Sequence, residues 1–72
     1  MSTPVRVIGK IYRLTSKGYF FVRTEDGRDW FCHRTELEDG LQMDSLSVGM
    51  DVEFQPVPDA PKGPRATSIT VL

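Results

Sequence analysis

The strongest constraint on this chain is a period of two. Val5, Val7, Gly9 and Ile11 alternate with Arg6, Ile8, Lys10 and Tyr12, which predicts a first strand from Val5 to about Leu14. Gly18 to Thr24 is dense in aromatic and β-branched residues and reads as a second strand. The Asp-Gly of Glu25-Asp26-Gly27-Arg28 is a hairpin signal leading into a third strand, Asp29 to Arg34. Thr35-Glu36-Leu37-Glu38 has the spelling of a capping box and predicts one short helical turn, followed by a loop from Asp39 to Met50. Val52, Phe54 and Val57 restore the alternation as a fourth strand. Pro56, Pro58, Pro61 and Pro64, with Gly63, make residues 56–64 a stiff connection. Ala66 to Leu72 is the fifth strand, with Ile69 and Val71 alternating against Thr67, Ser68 and Thr70. Helical periodicity is nearly absent and no repeat is visible. Five short strands point to an all-β closed barrel, because closure removes exposed edges.

Size limits what such a barrel can do. A chain of 72 residues buries only about 60% of its unfolded surface, so an enclosed catalytic cleft is not expected and function falls to an open face. One domain over residues 1–72 is expected. The single Cys32 forms no internal disulfide, and no apolar run approaches the roughly 20 residues of a membrane span, so a cytoplasmic protein is expected. Cys32 and His33 are neighbours on one strand and point to opposite faces, which argues against a metal site. No nucleophile and base stand in a recognisable spacing, and Glu36, Glu38 and Asp39 read as solvated acids beside the turn. Neither an enzyme nor a cofactor is expected. Pro58-Asp59-Ala60-Pro61 and Pro61-Lys62-Gly63-Pro64 read as rigid loop, and Leu41, Met43 and Met50 as minor packing residues.

The net charge of −1 hides an asymmetry. Residues 1–34 carry seven basic and three acidic side chains, and residues 35–72 carry two basic and seven acidic ones. Such a division hints at one basic face on a bipolar molecule.

The central hairpin then divides into two sets. Phe20, Val22, Trp30 and Cys32 share one face; Tyr19, Phe21, Arg23, Phe31 and His33 share the other. The second set carries a phenol, an imidazole and a guanidinium, which are costly to bury unpaired, so the first set is assigned to the interior. Tyr19, Phe21, Phe31 and His33 are thereby left outside, near Lys10, Arg13, Lys17 and Arg34. Flat rings among cations suit the stacking of unpaired bases while the cations follow the phosphates. The same face covered by a partner protein or a dimer mate is the alternative reading.

Four segments carry a resemblance. Gly9-Lys10-Ile11, Lys17-Gly18-Tyr19-Phe20-Phe21-Val22, Trp30-Phe31-Cys32-His33 and Lys62-Gly63-Pro64-Arg65-Ala66 occur in the order and spacing of the bacterial cold-shock domain. The resemblance covers about residues 7 to 71. It implies a five-stranded antiparallel barrel of the oligonucleotide-binding (OB) fold that binds single-stranded RNA or DNA on its aromatic face. It further implies that Tyr19 and Phe21 belong to the first ribonucleoprotein motif and Phe31 and His33 to the second. Lys62 and Arg65 would lie along the nucleic-acid path. RNA chaperoning or transcript regulation by a monomer is the implied role.

The chain departs from that pattern at specific places. Arg13 stands at the family's stacking tryptophan, Leu14 at the neighbouring phenylalanine, and Phe20 at the second glycine of the first motif. Arg34 replaces the phenylalanine after the histidine, and Trp30 takes a core valine position. Loss of an indole and a phenyl ring removes about 2–4 kcal/mol of stacking before any compensation by arginine. A barrel of this kind turned protein-interaction or regulatory module is the competing class.

Overall fold

A computed structural model describes residues 6–38 and 40–72. The strands are β1 (Val7–Leu14), β2 (Tyr19–Arg23), β3 (Asp29–His33), β4 (Asp51–Val57) and β5 (Arg65–Val71). They close into a barrel in the order β1-β2-β3-β5-β4. Every pairing is antiparallel except the seam, where β3 meets β5 in parallel through Phe31↔Arg65 and Cys32↔Ala66. The expected start of the first strand at Val5, and Asp39 beyond the expected turn, lie outside the described residues.

The β2–β3 hairpin is regular, with Tyr19↔His33, Phe20↔Cys32, Phe21↔Phe31, Val22↔Trp30 and Arg23↔Asp29 in register. Its turn closes with the Gly27 N–H bonded to the Thr24 carbonyl at 3.0 Å, giving a three-residue loop. One-for-one pairing preserves the alternation, and Phe20, Val22, Trp30 and Cys32 all fall inside. They pack with Ile11, Leu46, Val52, Phe54, Ala66 and Ile69. Each large apolar side chain buried in this way contributes about 1.5–3 kcal/mol. The Trp30 ring is accommodated by tilting 54° against Phe54 at a centroid distance of 5.4 Å. Its indole Nε1–H donates to the Thr24 hydroxyl at 3.1 Å, so the only polar atom of the ring is satisfied.

Gly9 faces inward where β1 crosses β2. A Cβ there would collide with Val22 Cγ1 and stand 3.1 Å from the Arg23 carbonyl oxygen. The absent side chain is what lets the two strands approach.

Several local expectations are corrected. The turn after β3 is a 3-10 turn, Arg34–Glu36, capped by the His33 side chain, whose Nδ1 accepts from the Thr35 N–H. The capping box starting at Thr35 is therefore not used. Pro56 and Val57 belong to β4, opposite Ala66 and Arg65, so the stiff connection is residues 58–64. β1 pairs with β4 only as far as Phe54 among the described residues, which leaves Pro56 no ladder bond to break on that side. The long loop holds a second 3-10 turn, Met43–Ser45, and buries Leu46 in the core. On β5 the inward residues are Ala66 and Ile69, three apart, because an extra residue enters opposite Phe54 and Ser68 takes φ 49°.

Candidate nucleic-acid interface

The outer surface of β1, β2, β3 and β5 is ordered in rows across the sheet. One row pairs Tyr19 with His33. The next runs Arg13, Phe21, Phe31, Arg65 across the four strands. A third runs Lys10, Arg23, Asp29. The first two rows form an aromatic platform with a cation at each end, and the third is charged throughout.

The rings touch one another. Tyr19 and Phe31 stack on the diagonal at 5.4 Å and 28°, and Phe21 meets Tyr19 edge-on at 5.8 Å and Phe31 at 6.0 Å. All three are half-buried against each other yet remain outside the barrel. His33 extends the row beside Tyr19. Its Nδ1 is engaged by Thr35, with the backbone N–H at 3.3 Å and the hydroxyl at 2.9 Å. With Nδ1 accepting the backbone N–H, the neutral form of the ring has its one N–H on Nε2.

Gly18 and Arg34 shape the lower edge. The Arg34 N–H donates to the Gly18 carbonyl at 2.9 Å, and a Cβ on Gly18 would lie 3.1 Å from Arg34 Cδ. With φ at +87°, Gly18 occupies the left-handed region that a side chain disfavours. The arginine stem thus lies across the turn that begins β2. Lys17 is exposed beside it.

At the opposite edge, Phe31 forms one wall of an open cleft of about 300 Å³, with Ala60, Pro61, Lys62, Gly63 and Arg65 as the others. The Phe31 N–H donates to the Pro64 carbonyl at 3.0 Å and ties the loop to the platform. The Arg65 guanidinium stands 6.0 Å from the Phe31 ring centroid and 3.9 Å from the Glu36 carboxylate.

The nine basic residues sort by their partners. Arg6, Lys10, Arg23, Arg28 and Arg65 have carboxylate partners. Among the described residues, Arg13, Lys17, Arg34 and Lys62 have none, and each of these lies at or beside the platform or its flanking loops. Lys10 is set apart from the rings, one row removed and facing Asp51 at 3.9 Å.

Two residues join this face without having been assigned a role from the sequence: Tyr12, and Arg23, which alternation had already placed outside. Tyr12 is an extra residue in β1, inserted between Ile11↔Val22 and Arg13↔Phe21. The bulge turns both Tyr12 and Arg13 outward, and the Tyr12 ring lies 6.2 Å from Phe21. Arg23 places its guanidinium over that ring, 4.4 Å from the centroid, while its Nε donates to the Asp29 carboxylate at 2.9 Å. This bond holds the Asp29 carboxyl below its usual range. Burial pushes the Tyr12 phenol above its ordinary value, and neighbouring Asp29 adds to that rise. The parity of Tyr12 with Lys10 was the available signal for its exposure; its contact with Phe21 depends on the bulge.

Barrel, row order and flanking cations together define a small β-barrel with an exposed aromatic and basic sheet face. The family model of the "Cold-shock" DNA-binding domain matches residues 7–72, and the chain belongs to that family. A probable cold shock protein A of Mycolicibacterium smegmatis is 40% identical over 57 residues, covering 78% of this chain and 82% of the relative. A cold shock-like protein CspC of Bacillus cereus is 40% identical over 57 residues, covering 78% and 83%. The family is one of non-enzymatic nucleic-acid-binding domains, which sets the general function as nucleic-acid binding.

Proposed function

We propose that this domain binds single-stranded RNA or DNA by stacking bases on Tyr19, Phe21, Phe31 and His33. Arg13, Lys17, Arg34, Lys62 and Arg65 follow the backbone, and Lys10 serves as a more distant cation. The supporting observation is the contiguity of Tyr19, Phe21 and Phe31, at 5.4–6.0 Å from ring to ring, outside a closed barrel and beside Arg13, Lys17, Arg34 and Lys62, which have no carboxylate partner among the described residues. Every base has a π-face, so recognition would be broad in sequence and worth about 1–3 kcal/mol per stacked base. Arg13 lies in register with Phe21 and can lay its guanidinium plane over a base. In the cell such a domain would act as an RNA chaperone or a regulator of transcripts, as a cytoplasmic monomer.

The test is fluorescence anisotropy with labelled oligothymidine and mixed-sequence single-stranded RNA at two salt concentrations, for wild type and Phe31→Ala. Affinity is expected to fall with salt at a log–log slope of about −2 to −3, corresponding to three or four phosphate contacts. Phe31→Ala should cost about 1–3 kcal/mol, roughly 5- to 150-fold. A folded wild-type sample that binds neither probe at low salt would overturn the reading and turn attention to a protein partner.

A further inference from the structure

The charged row beside the platform carries an inference that rests on the proposed binding mode. Tyr12 is continuous with the platform through Phe21, and by ring area it offers a further stacking position. Its ring is already occupied. The Arg23 guanidinium lies 4.4 Å from the centroid, and its Nε is pinned 2.9 Å from Asp29 Oδ1. Arg23 and Asp29 face each other directly across β2 and β3, so the strands hold the pair in place. We propose that Arg23, held by Asp29, acts as a stop at the upper end of the platform: it covers Tyr12, excludes one base from stacking there and so limits how many nucleotides the domain reads.

The geometry distinguishes a stop from a phosphate clamp. A clamp needs a cation free to turn toward the backbone, as Arg13, Lys17, Arg34 and Lys62 are among the described residues. Arg23 spends its planar face on Tyr12 and its Nε–H on Asp29. Lys10, next in the same row, faces Asp51. The row therefore offers little unpaired positive charge to the nucleic acid, and a strand crossing it would have to displace an arginine already stacked and hydrogen-bonded.

The experiment is a length series of labelled oligothymidines, about three to eight nucleotides, titrated against wild type, Arg23→Ala, Asp29→Asn and Arg23→Ala/Tyr12→Ala. Wild-type affinity should rise with length and level off. In Arg23→Ala the plateau should move out by one nucleotide, and oligomers of that length or longer should bind about five-fold tighter or more, with the salt slope unchanged. Asp29→Asn, which frees the arginine without removing it, should show part of that gain. The double variant should lose it. Weaker binding of Arg23→Ala at all lengths with a shallower salt slope would show a phosphate contact and overturn the proposal. An unshifted plateau in both single variants would overturn it as well. Absence of wild-type binding at every length would remove the underlying binding mode instead, a result distinct from either.

Discussion

Replacement of Thr24 by valine tests how the buried indole is accommodated. Thr24 is 8% exposed and Trp30 4%, so neither the hydroxyl nor the Nε1–H can turn to water. The hydroxyl accepts from the indole at 3.1 Å and donates to the Asp26 carboxylate. Valine keeps the shape and removes the acceptor. An indole N–H left buried without a partner costs about 1–3 kcal/mol. The exposed Asp26 carboxylate can replace its lost donor with water and adds little. A loss near 2 kcal/mol is expected, and in a domain of this size it lowers the melting temperature by roughly 8–16 °C. Urea unfolding followed by Trp30 fluorescence reads this directly, since the chain has one tryptophan. The midpoint should fall at constant m-value. In a Trp30→Phe background, followed by circular dichroism, Thr24→Val should cost far less. A second arm uses pH. The Thr24 hydroxyl, and then the Arg28 N–H, hold the Asp26 carboxyl below its ordinary value of 3.8. A depressed carboxylate contributes stability that is present above the unfolded pKa and lost as pH falls through the folded one. Because this carboxylate adds little, the difference between wild type and Thr24→Val should narrow only slightly below about pH 4, and the indole contribution should persist. A Thr24→Val loss under about 0.5 kcal/mol, or an equal loss in both backgrounds, would refute the role given to this hydrogen bond.

The remaining predictions concern the interior. Gly9→Ala drives a methyl into Val22 Cγ1 and should cost about 1–3 kcal/mol in urea midpoint; a neutral result would mean that β1 and β2 can part at no expense. Burial pushes the Cys32 thiol up to about 12 from its ordinary value of 9.0. The folded thiol keeps its proton where the unfolded one has lost it, so this group's contribution to stability should decline from about pH 9 upward until both forms have ionised. By the same reasoning, iodoacetamide should label Cys32 only on unfolding, and rapid labelling of the native protein would contradict its place in the core.

The face assignment was legible in the sequence because β2 and β3 pair one-for-one. Where the ladder is regular, alternation is geometry, and the polar tips of Tyr19 and His33 against the apolar Phe20, Val22 and Cys32 decide which side is wet. Irregular places resist the same reasoning. Ile69 lies inside three residues after Ala66 because of the extra residue on β5, which no local composition announces. Leu46 is buried from a loop without periodicity, and only tertiary packing reveals it. The turn after β3 is capped from His33, a residue that its strand position had already marked for the outer surface.

The bulge in β1 shows why a site can be harder to read than the fold carrying it. Strict alternation from Ile11 would send Arg13 inward with the core and separate it from the rings. One inserted residue instead brings Arg13 into register with Phe21 and leaves Tyr12 free to rest against Phe21. It also brings the Tyr12 ring within reach of Arg23, which comes from the neighbouring strand and is already fixed by Asp29. The feature that breaks the sequence pattern thus sets both the cation at one end of the aromatic row and the ring lying under the charged row. A variant that deletes Tyr12 restores regular pairing with Arg13 still opposite Phe21, and should therefore keep the cation of the aromatic row while taking the ring away from under Arg23, which separates the bulge's part in the charged row from its part in the aromatic one.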